Sequence, residues 1–257
     1  MDLGLTDRVA FVAGASRGLG RATAEALVRE GARVVITARG EEQLVATAQQ
    51  ISDANGAEVI AIPVDLTDSG ACERALVTTR QQLGPVDVLV VNLGGSRGDP
   101  SSSAPEDDWD EVLELNFRVA TRLARSVIPD MKEREQGAIL TISSIYGREW
   151  GGAASYNASK AALIAYTKTL ARELAPFGIR ANSLAPGSVL FEGGSWERKQ
   201  QADPEKIAAF IEAELPRGSF GRAEEIGDVA AFLCSDRASL IVGACLNVDG
   251  GQSRSLF

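Results

Sequence analysis

The 257-residue chain has no histidine. That absence excludes a Ser-His-Asp hydrolase, a Cys-His protease and a histidine-ligated zinc centre, each of which needs an imidazole. If the chain is an enzyme that moves protons, the carrier must be Tyr, Lys, Cys or a carboxylate. Cysteine is scarce: Cys72, Cys234 and Cys245 are odd in number and lack C-x-x-C spacing. They read as small buried hydrophobes in a reducing compartment, so neither a metal site nor a disulfide framework is expected. No apolar run approaches the roughly 18 residues of a membrane span, and no basic stretch followed by a long apolar one opens the chain. A cytoplasmic protein without a membrane partner is the expectation. A surplus of positive charge is also missing, with 26 Lys and Arg against 35 Asp and Glu and a net charge of −9. Nucleic acid attracts basic surfaces, so it is not the expected partner.

What is present is rhythm. Apolar, β-branched runs occupy residues 8–14, 33–38, 58–64, 87–92, 138–144, 179–186 and 240–250, with helical stretches between the first six and another before the seventh. Runs that are apolar throughout suit strands covered on both faces of a parallel sheet. The alternation predicts an α/β fold: a doubly wound parallel sheet of about seven strands in a single domain spanning residues 1–257. Residues 187–206 interrupt the rhythm with an irregular segment too long for a simple connection. A substrate lid around residues 188–217 is expected there.

The first strand runs into "VAGASRGLG", with Gly14, Gly18 and Gly20 at the entry to a helix. Such a turn lets backbone N–H groups and a helix N-terminus face a phosphate with no Cβ in the way. The alternative reading is a tight turn, and the context of a first βα unit favours the phosphate. The second strand ends "ITARG". A carboxylate there would bond a free ribose 2′-OH, but position 38 is Ala38 and Arg39 follows. Arg39, together with Arg17 in the glycine loop, favours a 2′-phosphate through charge-assisted bonds, hence NADP(H) over NAD(H). Two solvated surface arginines are the competing interpretation.

In "YNASK", Tyr156 and Lys160 are four residues apart and share one helix face. Leu163, Thr167, Leu170 and Leu174 continue that helix as a stripe suited to packing. A phenol beside an ammonium can do acid–base work without histidine, because a neighbouring positive charge favours the phenolate.

Together these motifs resemble the short-chain dehydrogenase/reductase family, and the resemblance covers residues 5–251. It rests on the Gly-x-x-x-Gly-x-Gly loop, "VDLTD", "VNLG", the Tyr-x-x-x-Lys pair, "PG" at Pro186 and Gly187, and "VDGG" near the end. Within the family the chain is most similar to 3-oxoacyl carrier-protein reductases. It departs from the family pattern at Ala13, Val91 and Leu93, and Phe191 stands where a threonine is common. The resemblance implies a Rossmann fold and interconversion of a ketone and a secondary alcohol. It makes Tyr156 the general acid/base, Lys160 the group that lowers the Tyr156 pKa and holds the nicotinamide ribose, and Asn116 the support of a relay water. It also implies a serine that bonds the substrate oxygen. Spacing from the tyrosine selects Ser143, whereas the Ser-x-x-Gly pattern selects Ser144 with Gly147; we take Ser144. The implied cofactor contacts are Gly14, Ser16, Arg17, Gly18, Leu19, Gly20, Arg39, Asp65, Leu66, Asn92, Gly94, Pro186, Gly187 and Val189, besides Tyr156 and Lys160. Glu135 and Phe177 occupy positions where carrier-protein reductases often present basic residues, so a free thioester, small ketone, polyol or sugar stays open as substrate. In the lid, Glu192, Trp196, Arg198 and Lys199 could shape the pocket. A homotetramer built on residues 117–127 and 156–174 is implied as well. A catalytically idle NADP(H)-binding protein is the alternative function.

Overall fold

The computed structural model describes residues 2–256. Its main sheet joins β1 (Val9–Ala13), β2 (Arg33–Ala38), β3 (Val59–Pro63), β4 (Val88–Val91), β5 (Gly137–Ile142), β6 (Ile179–Pro186) and β9 (Cys245–Val248), all parallel, in the order β3-β2-β1-β4-β5-β6-β9. A two-stranded parallel ribbon, β7 (Val189–Leu190) with β8 (Gly221–Arg222), lies beside it. The seven-stranded sheet agrees with the periodicity. The ribbon was not anticipated, and the final apolar run forms a strand only over its second half.

Strand alternation divides the core in two. Ala10, Val12, Val34, Ile36, Val88, Val90 and Leu140 face α1 (Gly18–Arg29), α2 (Glu41–Asn55) and α9 (Ala223–Cys234). Val9, Phe11, Val35, Leu89, Val91 and Ile139 face α3 (Ala71–Leu83), α5 (Val119–Glu133) and α6 (Ala154–Leu174). Both faces of the strands are thus buried, which is why their sequences read as unbroken apolar runs. Full burial of each such side chain contributes about 1.5–3 kcal/mol. Polar ties then set register. Asp87 accepts the Val9 N–H at 2.9 Å and pairs with Arg134, fixing the start of β1 against β4 and β5. The predicted stripe of α6 is buried as Leu163, Thr167, Leu170 and Leu174. Thr141 Oγ1 bonds both Thr167 Oγ1 and Ser183 Oγ at 2.9 Å, anchoring α6 to β5 and β6.

The segment expected to be irregular between β6 and α9 is helical. It carries α7 (Ser195–Ala202) and α8 (Pro204–Glu214) after β7. Asp203 caps α8 through the Lys206 N–H at 3.0 Å, and Pro204 begins that helix, where its missing N–H costs nothing. Trp196 stacks on Phe210 with ring centroids 4.5 Å apart and lies 5.2 Å from Phe220, giving the segment a small aromatic core of its own. The apolar residues of this core are spread over 25 positions with polar residues between them, so no single window signals a helix. Cys72 and Cys234 are buried as expected, whereas Cys245 on β9 is only half-buried.

Candidate active site

Sheet order reverses between β1 and β4, and the crevice outside the carboxyl ends of these strands is where an open α/β sheet binds ligands. Gly14, Ala38, Asn92 and Ser144 all stand at or just past the carboxyl ends of the sheet's strands. Gly14 leaves β1 with φ +77, in a turn where the N–H groups of Gly14 and Ala15 both donate to the Thr37 carbonyl. A Cβ on Gly20 would overlap the Gly14 carbonyl oxygen, so only glycine lets the loop close onto α1. Asn92 Nδ2 donates to that same oxygen at 2.8 Å, and Thr47 Oγ1 donates to the Ser16 carbonyl at 2.8 Å. Asn92 therefore holds the glycine loop from β4. Leu19 packs on the core behind the loop, and Leu66 is buried under the third strand end.

Arg17 and Arg39 take different surroundings. Arg39 is exposed and lies 3.7 Å from Asp65. Burial pulls the Asp65 carboxyl upward, but hydrogen bonds from Thr67 Oγ1 (2.6 Å) and Thr67 N–H (3.0 Å), with Arg39 and Arg97 nearby, hold it below the usual carboxylate value. Arg17 leans against Gly193 beyond β7. Phe191 rests on Gly18, its ring carbon 2.6 Å from the position a Cβ would take. Ser16, Arg17, Arg21 and Phe191 line an open cleft of about 350 Å³ at the start of α1. A larger hollow of about 500 Å³ lies away from these strand ends, between α2 and β3. Trp196, expected to shape the pocket, instead packs within the α7–α8 cluster with Lys199 over its ring at 4.4 Å. Arg198 donates to the Gly193 carbonyl.

Four polar side chains meet past β4 and β5. Asn116 sits in a π-helical turn, Glu114–Arg118, between α4 (Glu106–Leu113) and α5. It is buried, donates through Nδ2 to the Gly95 and Val112 carbonyls (2.9 Å each) and accepts the Gly95 N–H at 3.0 Å. Its side chain is thus a clamp on the loop after β4. A Cβ on Gly94 would lie 2.7 Å from Asn116 Oδ1 and 2.7 Å from Lys160 Nζ, so a bare backbone passes between them. Lys160 is buried, and its Nζ donates to the Ile142 carbonyl at 2.8 Å. Its ammonium is 5.8 Å from the centre of the Tyr156 ring.

The two serines part as strand alternation requires. Ser143 Oγ donates to the Lys160 carbonyl at 3.1 Å, spent on the backbone of α6. Ser144 Oγ accepts the Tyr146 N–H at 3.1 Å and stands near enough to the Tyr156 phenol to lower its pKa. Of the two hydroxyls, it is that of Ser144 that acts on the Tyr156 phenol.

The electrostatics correct one expectation. Burial pushes the Tyr156 phenol above its ordinary value; the Ser144 hydrogen bond pulls it back, and Tyr146 adds to the rise. Lys160 does not lower it, because burial has already brought the Lys160 ammonium down to about 7. Near neutral pH the phenol is protonated and Lys160 is only partly charged. Both effects are desolvation, which spacing along a helix cannot reveal.

Two further contributors were not foreseen. Gln252, buried in the turn after β9, accepts the Ser188 N–H at 2.7 Å and donates to Ser188 Oγ at 3.0 Å. It holds the backbone after Pro186 and Gly187, while Val189 pairs with Gly221 in the ribbon. Glu149 accepts Ser253 Oγ (3.0 Å) and the N–H groups of Arg254 and Ser255 (2.8 Å each), tying the C-terminal segment to the loop after Ser144. Sequence separations of 64 and about 105 residues hid both contacts.

Comparison with known proteins agrees with this geometry. A family model described as enoyl-(acyl carrier protein) reductase, of the adh_short_C2 type, matches residues 14–253. The 3-oxoacyl-[acyl-carrier-protein] reductase FabG of Escherichia coli is 39% identical over 246 residues, covering 95% of this chain and 97% of that protein. Among solved structures, the L-sorbose reductase of Gluconobacter frateurii, complexed with NADPH and L-sorbose, superposes with a TM-score of 0.93 at 31% identity over the whole of both chains. Levodione reductase superposes with a TM-score of 0.91 at 31% identity, covering 97% of this chain and 99% of that one.

Proposed function

The chain belongs to the short-chain dehydrogenase/reductase family and is an oxidoreductase, and from that premise we propose that it reduces a ketone to a secondary alcohol using NADPH, with Tyr156 as the proton donor. The observation that carries the reading is the Ser144 hydroxyl beside a Tyr156 phenol that burial keeps protonated, past the end of β5. Two neighbouring hydroxyls that can both donate suit the negative charge that builds on a carbonyl oxygen as it becomes an alkoxide. They have no such charge to meet in the reduction of an isolated carbon–carbon double bond.

The residues fit a dinucleotide: the glycine loop turns directly from β1 into the start of α1, whose first N–H groups can face a phosphate. Bound there, NADPH supplies the hydride. Gly14, Ser16, Arg17, Gly18, Leu19 and Gly20 would flank the phosphates, and Asp65 and Leu66 the adenine. Asn92, Gly94, Lys160, Pro186, Gly187 and Val189 would surround the nicotinamide half. Arg39, exposed at the end of β2, would meet a 2′-phosphate, which is the basis for preferring NADP(H) to NAD(H). Phe191, resting on Gly18, closes the cleft with an apolar face. We assign residues 188–217 as the lid over the site.

Tyr156 donates its proton to the substrate oxygen while Ser144 holds that oxygen in place. The Lys160 ammonium, near its own midpoint at neutral pH, then passes a proton toward the phenolate. Asn116 keeps the loop after β4 at the distance Lys160 requires. Consumption of NADPH against a panel of ketones tests the reading. Tyr156→Phe is expected to lower kcat by about 10²–10⁴-fold, the range for a positioned proton donor, with the fold unchanged by circular dichroism. Full activity in that variant would reject Tyr156 as the donor. A homotetramer built on residues 117–127 and 156–174 is part of the same proposal, and sedimentation as a monomer at micromolar concentration counts against it.

A further inference from the structure

Beside Tyr156 stands a second phenol that the proposed proton transfer does not use. Tyr146 lies two residues past Ser144, half-buried, in the short 3-10 turn Ile145–Gly147. Its ring lies against Gly151, where a Cβ would overlap it. The bare Cα of Gly152 separates the two tyrosines: a Cβ there would be 3.2 Å from Tyr146 Cδ2 and 3.3 Å from Tyr156 Cδ1. Those ring carbons are therefore no more than about 6.5 Å apart, the sum of the two distances. The Tyr146 backbone is engaged as well, its N–H donating to Ser144 Oγ at 3.1 Å. That bond occupies an acceptor site on Ser144 and leaves the serine O–H able to donate.

Other polar groups around Tyr146 are already committed. Arg148 donates to the Cys245 carbonyl (3.0 Å) and Asn247 Oδ1 (2.6 Å). Glu149 binds the C-terminal segment, and Glu214 at the end of α8 pairs with Arg254 at 3.1 Å. These pairings leave little free charge on this side of the cleft to meet an ionic substrate group. The Tyr146 phenol, in contrast, makes no hydrogen bond to another of the described residues. Burial raises its pKa, and Glu214 and Glu149 raise it further, so it is a hydrogen-bond donor throughout the neutral range.

We propose that Tyr146 is a specificity-determining residue that donates to a second oxygen of the substrate, and that the class it selects is uncharged ketones carrying oxygen on the carbon next to the carbonyl: hydroxyketones, ketoses and vicinal diones. Because Tyr146 adjoins both Ser144 and Tyr156, its phenol is the donor available to a substituent on the carbon next to a carbonyl held by that pair. A fixed donor there rewards an oxygen and is left unpaired by a methyl group of the same size. The inference rests on the assignment of Ser144 and Tyr156 as the groups that hold and protonate the carbonyl.

Hydroxyacetone and butanone are a matched pair, differing by a hydroxyl in place of a methyl beside the carbonyl. The parent enzyme is expected to favour hydroxyacetone in kcat/KM by about tenfold or more. In Tyr146→Phe the ratio of the two kcat/KM values should fall about tenfold, with the change carried mainly by KM for hydroxyacetone. NADPH affinity, read by fluorescence titration, should move less than twofold, which separates loss of a substrate contact from a general disturbance of the cleft. An unchanged ratio, or a parent enzyme that prefers butanone, overturns the inference about Tyr146 while leaving the proton-transfer reading intact. That reading fails separately, if Tyr156→Phe retains full activity on either ketone.

Discussion

Lys160 is a cation with 2% of its surface exposed and one hydrogen bond, to the Ile142 carbonyl. Replacing it by methionine keeps the length of the side chain and removes the charge. Burial lowers the ammonium from 10.5 to about 7. At about pH 6 the folded and the unfolded chain both hold this proton, so the whole cost of burying the charge falls on the folded state. Between about 7 and 10.5 the unfolded chain still holds a proton that the folded chain has released, and stability rises with pH. Above that window both are neutral and the cost is gone. At 1.36 kcal/mol per pKa unit the full effect is on the order of 5 kcal/mol, of which about 3 kcal/mol is recovered between pH 6 and pH 9. The comparison to make is urea unfolding of the parent and Lys160→Met, without added cofactor and at one fixed protein concentration, because ligand and oligomerisation also shift apparent stability. The parent should gain about 3 kcal/mol on the variant as pH climbs from 6 to 9. The methionine leaves the Ile142 carbonyl without its donor, but that loss is independent of pH and displaces the curves without changing their divergence. Curves that stay parallel would show that Lys160 carries no burial cost, and the account of its charge near neutrality would be wrong.

Two other substitutions probe the cofactor side. Arg39→Ala should raise KM for NADPH by about tenfold or more and leave KM for NADH within about twofold, since a charge-assisted bond to a phosphate contributes roughly 1.5–3 kcal/mol; equal losses for the two cofactors reject a 2′-phosphate role. Gln252→Met removes both bonds to Ser188 and leaves a buried N–H unpaired, so unfolding free energy should drop by about 1–3 kcal/mol and the dissociation constant for NADPH should rise, while KM for the ketone changes little. A selective loss of ketone affinity in fluorescence and steady-state measurements would place Gln252 at the other half of the cleft.

Some of this protein could be read without its coordinates because the information is local. The runs that became β1 and β4 are apolar on every residue, and a strand covered on both faces admits little else. Gly14 and Gly20 mark a loop that must pass close to its own backbone, and that demand is visible as a missing side chain. The four-residue interval from Tyr156 to Lys160 is helical geometry, independent of what packs around it. The ambiguity between Ser143 and Ser144 was of a different kind, since it turned on which face of β5 looks toward α6. In the packed chain the Ser143 hydroxyl is spent on the Lys160 carbonyl, and it is Ser144 that acts on the Tyr156 phenol.

The sequence by itself determined the layered α/β architecture, the glycine-rich loop after β1 and a tyrosine–lysine pair on one helix face, because each follows from spacing within a few residues or from composition. Tertiary structure decided the charge states, since desolvation depends on everything that surrounds a group. It pushed the Tyr156 phenol up and the Lys160 ammonium down, the reverse of what an isolated pair in water would do to the phenol. It also brought Gln252 to Ser188, Glu149 to the C-terminal segment and Tyr146 to Tyr156 across Gly152. The first two join residues far apart in the chain, and the third depends on two glycines whose value lies in the space they leave for a neighbouring ring.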